Sequence, residues 1–140
     1  MDGAQTVSVR YIVRDVAEAI DFYRDFLDFE LIMHPAPPFA IISRGNLRLL
    51  LSQPGAGGGG HVLADGQLPK PGGWNRIHLP VENLKSVYTA LSEKGARFKS
   101  EIIEGVGGRQ ALLEDPSGNL IELFESFMQK ENDHHPASRP

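Results

Sequence analysis

The sequence predicts an α+β fold built from two consecutive βαβββ modules, and three observations support this fold class. A strand-helix pattern that begins near residue 7 returns 68 residues later. Short apolar runs that alternate as β-strands do follow each copy. A segment rich in glycine and proline separates the two copies. We therefore expect one domain over residues 1–126 of the 140-residue chain.

The first module is predicted over residues 7–53. The run VSVRYI alternates as a strand does, and Asp15 followed by Glu18 is typical of a helix N-terminus. Apolar residues then recur at helical spacing over residues 16–27, which predicts an amphipathic helix. Three strand-like runs complete the module: FELIM, FAIIS and LRLLLS.

The second module, residues 74–126, repeats this plan. Asn83 occupies the N-cap position of the second helix, and Gly95 is expected to end it. The remaining strands are predicted from the runs RFKSEII, RQALLE and LIELFE. Asp115, in the sequence DPSGN, is expected to fix the last turn by accepting hydrogen bonds from its own backbone.

Residues 54–73 are predicted to form a flexible linker, because 8 of these 20 residues are glycine and 3 are proline. Residues 127–140 are polar, lack periodicity and end in proline, which predicts a disordered tail. A module of roughly 50 residues buries too little surface to fold alone. We therefore expect the modules to pack as a pair, with curved mixed sheets around a concave cavity and the helices outside.

Composition excludes several classes of function. The net charge of −4, from 14 basic and 18 acidic side chains, does not favour a nucleic-acid surface. No apolar stretch approaches the length of a membrane helix, and no basic segment precedes an apolar one at the start of the chain. The chain contains no cysteine, which excludes thiolate metal sites and cysteine nucleophiles. We therefore expect a cytoplasmic protein with neither membrane nor nucleic acid as a partner.

The doubled module and the final hairpin sequence DPSGNLIEL together resemble the vicinal oxygen chelate superfamily of glyoxalases, bleomycin resistance proteins and extradiol dioxygenases. The resemblance covers residues 7–126. It implies that each module forms an incomplete barrel, that the cavity holds a divalent metal or a small ligand, and that two chains form a homodimer. Since one fold hosts many chemistries, the site residues must decide among these activities.

In metal-dependent members, the resemblance places ligands on the first and last strands of each module. The corresponding positions here are Ser8, Leu49 or Leu50, Arg76 and Glu122. Of these, Glu122 alone keeps a metal-ligating side chain, because arginine has no lone pair to donate and leucine has no donor atom. We therefore predict no metal cofactor. Arg76 is expected to lie beside Glu122 and to take over the electrostatic role of the metal.

A relocated metal site is the alternative. Residues two apart share one face of a strand, so His78 is expected to point into the same cavity as Arg76. A metal could then be held by His78, Glu122 and the loop residue His61. In that case His78 and Glu122 are the candidate catalytic residues of a glyoxalase-like lyase, an isomerase or a dioxygenase.

Further candidate ligand contacts lie elsewhere on the strands: Trp74, Ser8, Arg10, Arg48 and Arg109. Trp74 could stack on a flat ligand or close the end of the barrel as core. Arg10 shares a face with Ser8, and either Arg10 or Arg48 could line the cavity or reach solvent. Arg109 follows a glycine turn and could add to an anion-binding rim or simply be solvated there.

Together these residues predict a protein that binds a small polar or anionic organic molecule in a cavity without metal, as bleomycin resistance proteins sequester drugs. The Arg76–Glu122 pair could instead do no more than neutralise a vestigial site. Two other functions stay open. One is the metal-dependent enzyme with a relocated site, and the other is a purely structural interaction module.

Overall fold

The computed structural model of the chain describes residues 5–128, which fall into two compact units. Unit 1 contains residues 5–74 together with Asp115–Asn119, and unit 2 contains residues 75–114 and 120–128. Among residues 5–128, no helix has both the length and the apolar composition that a membrane crossing requires. Most of the predicted tail, residues 129–140, lies outside the described residues.

Unit 1 contains a βαβββ module with a four-stranded mixed sheet. Its elements are β1 (Val7–Ile12), α1 (Val16–Leu27), β2 (Glu30–Ala36), β3 (Phe39–Arg44) and β4 (Leu47–Ser52). The strand order is β1-β4-β3-β2, with β1 and β4 parallel and the other pairs antiparallel. One face packs against α1, where Ile42, Leu49 and Leu51 are fully buried. Alternate residues of the same strands form the opposite face, which we call the open face of unit 1.

Side chains satisfy the backbone at the start of α1. The Asp15 carboxylate accepts a hydrogen bond from the Glu18 backbone N–H at 3.1 Å, which confirms the predicted N-cap. The Glu18 carboxylate pairs with the Arg14 guanidinium at 2.9 Å, and this contact lowers the pKa of Glu18. From the end of β4, Gln53 Oε1 accepts from the Val16 N–H at 2.9 Å. The helix start is therefore fixed both locally and by the sheet.

The turn Asp115–Asn119 is part of unit 1 because its side chains bond to α1 and β1. Asp115 Oδ1 accepts from the backbone N–H groups of Ser117 and Asn119, which confirms the predicted turn. Asp115 Oδ2 accepts from the Tyr23 hydroxyl at 2.9 Å, and Asn119 Nδ2 donates to the Ile12 carbonyl at 2.8 Å. Burial raises the pKa of Asp115, and the hydrogen bonds offset this in part. Burial and the nearby carboxylate also raise the pKa of Tyr23.

The glycine-rich segment after β4 makes defined contacts within unit 1. A short 3₁₀ helix spans Gly58–Gly60, and the Gly55 N–H donates to the Gly60 carbonyl at 2.6 Å. Gly60 is buried, and a Cβ there would collide with the Gln53 carbonyl. A Cβ on Gly59 would overlap the Arg10 guanidinium. Glycine is therefore required at position 60 for close packing against the Gln53 backbone, which the expectation of a flexible linker did not include. At position 59 the flexible end of the Arg10 side chain can move aside.

Unit 2 contains the second module. Its elements are β5 (Ile77–Pro80), α2 (Leu84–Glu93), β6 (Arg97–Phe98), β7 (Ile103–Glu104), β8 (Gly108–Glu114) and β9 (Leu120–Ser126). The sheet order is β5-β9-β8-β6, and β7 also pairs with β8. Strands β5 and β9 are parallel, as β1 and β4 are in unit 1.

The predicted continuous strand RFKSEII is instead two short strands, β6 and β7. Ser100 lies between them, and its hydroxyl rather than its backbone accepts the hydrogen bond of the Leu112 N–H, at 3.0 Å. The Ser100 carbonyl in turn accepts from the Tyr88 hydroxyl at 3.2 Å. Side-chain hydrogen bonds of serine compete with a β-ladder, and here they interrupt it.

Helix α2 begins and ends where the sequence predicts. Asn83 Oδ1 accepts from the Ser86 N–H at 3.1 Å, and Gly95 follows the helix with a left-handed φ of 97°. Glu125 Oε1, from β9, accepts from the Leu84 N–H at 2.9 Å. This bond corresponds to the Gln53 bond in unit 1, so both modules tie the helix start to the region of the last strand.

The α+β prediction is confirmed. Each unit combines one α-helix with a mixed sheet, and within residues 5–128 neither sheet closes into a barrel. Unit 1 has the βαβββ order, and unit 2 differs from it because the first predicted strand after α2 is divided into β6 and β7. Trp74 is grouped with unit 1, and so are residues 115–119, because their contacts are made there.

Candidate functional site

The parallel pairing of β5 and β9 positions the first set of candidate side chains. In the observed register His78 lies opposite Glu122. Ile77, Leu79 and Ile121 are buried, whereas His78 is half exposed. Because successive side chains of a strand point to opposite faces, His78 and Glu122 both lie on the face of the sheet away from these core residues. We call this the open face of unit 2.

Arg76 and Glu122 form the main electrostatic contact on this face. Arg76 Nε and Nη2 both donate to Glu122 Oε1, at 3.0 Å and 2.9 Å. The side chains are 27% and 14% exposed, so the pair is shielded from water more than an ordinary surface pair is. The predicted contact between Arg76 and Glu122 is therefore confirmed. A charge-assisted, two-donor contact of this kind fixes the carboxylate orientation.

His78 completes the arrangement from the other side of the carboxylate. Its Nε2 atom lies 3.7 Å from Glu122 Oε2, beyond ordinary hydrogen-bond length. The His78 ring contacts the Phe124 ring, with 4.9 Å between their centroids. The imidazole therefore stands between a carboxylate and an aromatic surface while remaining 51% exposed. Phe124 was missed from the sequence, although its position two residues after Glu122 places it on the same face.

The residues at the metal-ligand positions implied by the resemblance do not fit a metal centre. The register pairs Arg10 with Leu50 on the open face of unit 1, while Leu49 is fully buried, so the implied position is Leu50. Leu50 has no donor atom, and Arg76 is a cation that already binds Glu122. Among residues 5–128, no three histidine, aspartate or glutamate side chains converge as ligands, and this includes His61. Metal ions such as zinc need about three such protein donors.

Trp74 and Arg109 have distinct surroundings. Trp74 is 66% exposed, so the interpretation of this side chain as core is wrong. The Arg109 Nε donates to Glu104 Oε2 at 2.8 Å, and its Nη1 lies 3.5 Å from Glu125 Oε2. The hydrogen bond to Glu104 raises the pKa of Arg109. The Arg109 charge is thus balanced by carboxylates of its own hairpin and of β9.

The candidate residues of unit 1 lie on its open face. Ser8 and Arg48 are register partners, and Arg10 is the next position along β1 on that face. The Arg10 Nη1 donates to Ser52 Oγ at 3.1 Å, beside Gly59. The structure therefore brings Ser8, Arg10 and Arg48 together. Ser52 was missed because its role depends on the pairing of β1 with β4, which the chain order does not reveal.

A family model described as the Glyoxalase/Bleomycin resistance protein/Dioxygenase superfamily matches residues 5–123. Among solved structures, a member of that superfamily from Sphaerobacter thermophilus is 28% identical, with a TM-score of 0.70 over 88% of this chain and 98% of that chain. A comparison with curated proteins gives no match.

Two further solved structures share the fold at lower identity. Lactoylglutathione lyase from Agrobacterium tumefaciens is 18% identical, with a TM-score of 0.69 over 89% of this chain and 95% of that chain. TnmS3, an antibiotic binding protein from Streptomyces, is 22% identical, with a TM-score of 0.66 over 90% and 98%. These two likenesses concern the fold.

Proposed function

Because the chain belongs to the Glyoxalase/Bleomycin resistance protein/Dioxygenase superfamily, we propose that it binds a small polar or anionic organic molecule without using a metal ion. The observation that carries this proposal is the contact of Arg76 with Glu122 Oε1. A guanidinium here provides positive charge beside the carboxylate but cannot coordinate an oxygen ligand as a metal does. Arg76 can therefore contribute to ligand binding through its charge and its hydrogen bonds, and not through metal coordination.

The surroundings of this pair suit a small organic ligand. His78 offers a ring nitrogen, Phe124 offers an aromatic surface, and Arg76 offers a planar cation on one open sheet face. Small-molecule sites combine apolar walls with a few polar groups that fix the ligand orientation. In this proposal Arg76, His78 and Glu122 orient the ligand.

The fold neighbours give this proposal a precedent. TnmS3 is described as an antibiotic binding protein, whereas the Agrobacterium protein is described as a lyase. The superfamily fold therefore serves both binding proteins and enzymes, and the residues at the site must decide for each chain. The donor set of this chain favours binding.

The second candidate function is a metal-dependent lyase, isomerase or dioxygenase that uses His78 and Glu122. This candidate rests on the position of His78 and Glu122 on one sheet face, with 3.7 Å between Nε2 and Oε2, since an imidazole and a carboxylate can act as acid and base. In either function we expect a cytoplasmic homodimer, with two-fold symmetry. Light scattering on the purified chain tests the dimer.

Metal analysis of the purified chain and a thermal-shift screen test the proposal. We expect substoichiometric metal, and a raised Tm with at least one compound from a panel of organic carboxylates, phosphate esters and vicinal diols. Arg76→Ala should abolish that shift. Arg97→Ala, which removes an exposed arginine from the same unit, should retain it. Stoichiometric zinc, nickel, manganese or iron in the purified chain would support the metal-dependent enzyme instead. An unchanged rise in Tm with the same compound in Arg76→Ala would show that the Arg76–Glu122 pair has only a structural role.

A further inference from the structure

The open face of unit 1 carries an ordered pattern of cationic, hydroxyl and apolar side chains. Strand register places residues of β1, β4 and β3 in rows across the sheet. The rows are Ser8, Arg48 and Ser43; then Arg10, Leu50 and Ile41; then Ile12, Ser52 and Phe39. Neighbouring strands lie roughly 4.8 Å apart, so each row spans about the width of one small ring system.

Arg48 is the central residue of the first row, and no counter-ion for it lies among residues 5–128. It is half-buried, and among residues 5–128 its guanidinium has no hydrogen-bond or ion-pair partner. Ser8 and Ser43 flank it with hydroxyl groups. Glu30 ends the same row on β2, two strands from Arg48, and no ion pair joins these two side chains. A partly desolvated guanidinium without an anion is an unfavourable arrangement that a bound carboxylate would relieve.

The second row provides the apolar part of the surface. Leu50 and Ile41 are half-buried, and Phe39 of the third row extends the apolar surface towards β3. Arg10, at the end of the second row, donates a hydrogen bond to Ser52 Oγ and lies beside Gly59. The apolar residues therefore lie directly beside an unpaired cation. This combination suits a ligand that has an apolar body and one planar anionic group.

We infer that the open face of unit 1 binds an organic carboxylate with an aromatic or aliphatic body. The carboxylate accepts two hydrogen bonds from the Arg48 guanidinium, and the Ser8 and Ser43 hydroxyls lie within the same row. The body of the ligand covers Leu50 and Ile41. The inference goes beyond the proposed function, because it places a second ligand site on unit 1 and names the ligand class and the residues that recognise it.

Calorimetric titration of the full chain with 2-naphthoate and with neutral 2-naphthamide tests this inference. The two probes share their ring system and differ in charge. We expect 2-naphthoate to bind at least about tenfold more tightly, since the charge-assisted contact to Arg48 is available to the carboxylate alone. Arg48→Met should reduce the affinity for 2-naphthoate to that for 2-naphthamide, and Ile41→Ser should weaken both.

Arg44→Met is the matched control. Arg44 lies on β3 next to Ser43, it has no ion pair within residues 5–128, and strand alternation places it on the face opposite to Ser43. This variant should retain the preference for the carboxylate. Because Arg48 has no partner to lose, Arg48→Met should fold normally, which circular dichroism checks.

Three results would overturn the inference: no binding of 2-naphthoate, equal affinity for both probes, or an unchanged preference in Arg48→Met. These results are distinct from failure of the proposed function. If Arg76→Ala abolishes the thermal shift while Arg48→Met leaves the probe preference unchanged, the proposed function stands and this ligand class is wrong. If instead stoichiometric metal is found while Arg48→Met abolishes the preference, the metal-free function fails and the carboxylate site stands.

Discussion

The Tyr23 hydroxyl donates a hydrogen bond to Asp115 Oδ2 at 2.9 Å, although 92 residues separate the two in sequence. Tyr23 is fully buried and Asp115 is 1% exposed. The same carboxylate also accepts bonds from Ser117 and Asn119, so one side chain both shapes the turn and attaches it to α1. A buried polar contact of this kind is costly to break, because the carboxylate loses water on folding and depends on its protein donors.

We predict that Tyr23→Phe lowers the free energy of unfolding by about 2 kcal/mol, because Asp115 Oδ2 keeps Asn119 as its side-chain donor and loses the hydroxyl. Urea unfolding at neutral pH measures the change. Tyr88→Phe is the control, since that hydroxyl bonds a half-exposed carbonyl and its loss should cost less than about 1 kcal/mol. A similar small loss in both variants would contradict the prediction.

The raised pKa of Asp115 predicts a specific pH dependence. The folded state holds the Asp115 proton to a higher pH than the unfolded chain does, in which the pKa is about 3.9. Titration of Asp115 therefore favours folding fully below about pH 3.9, and this contribution is lost as pH rises through the folded-state pKa. Asparagine does not titrate. The stability of the wild type relative to Asp115→Asn should therefore increase as pH falls from 7 towards 4.

Urea unfolding of both proteins across this pH range measures the difference. Asp65→Asn is the control, because Asp65 also accepts from its own turn backbone but is exposed to water. A difference for Asp115→Asn that stays constant with pH would show that burial does not control this carboxyl group.

Removing one partner of the Arg76–Glu122 pair should cost more than removing both. Arg76→Met leaves a mostly buried carboxylate without its guanidinium donors, so we expect a loss of about 1–3 kcal/mol. The double variant Arg76→Met with Glu122→Gln should recover part of this loss, with a coupling energy of about 1 kcal/mol. Thermal and urea unfolding of the four proteins measure the cycle. Additive losses would mean that the pair contributes no coupling.

Gly108 should resist substitution for steric reasons. A Cβ at this position would collide with the Glu125 carbonyl and the Phe124 ring. We expect Gly108→Ala to destabilise the chain by about 1–3 kcal/mol, as overpacking does. Gly107→Ala is the control, because a Cβ there meets no atom within 4 Å, and its Tm should be nearly unchanged. Equal Tm values for the two variants would show that β8 and β9 separate easily at this end.

Local signals predicted most elements because the cause of each lies within a few residues. Asp15 and Asn83 cap the helices that follow them, and Gly95 ends α2 because its left-handed φ suits glycine. The prediction of one continuous strand after α2 was wrong for a reason that is not local. Ser100 interrupts it through bonds to Tyr88 and Leu112, which are distant in sequence.

The candidate site was predictable in part by the same logic. Alternation along β5 placed Arg76 and His78 on one face, and the resemblance paired that face with Glu122. Trp74 was not predictable in this way, because exposure at the end of a strand depends on the packing of other segments. The bond of Arg10 to Ser52 likewise requires the register of β1 against β4.

By itself, the sequence determined the repeated strand-helix-strand plan and the helix limits, since periodicity and capping are properties of neighbouring residues. The tertiary structure alone decided which residues share a row with Arg48 and which glycines lie where a Cβ would collide with a neighbouring segment. It also decided that the Asp115 turn bonds to α1 and β1. Those outcomes depend on strand register and on burial between segments far apart in the chain, and no local pattern encodes such pairings.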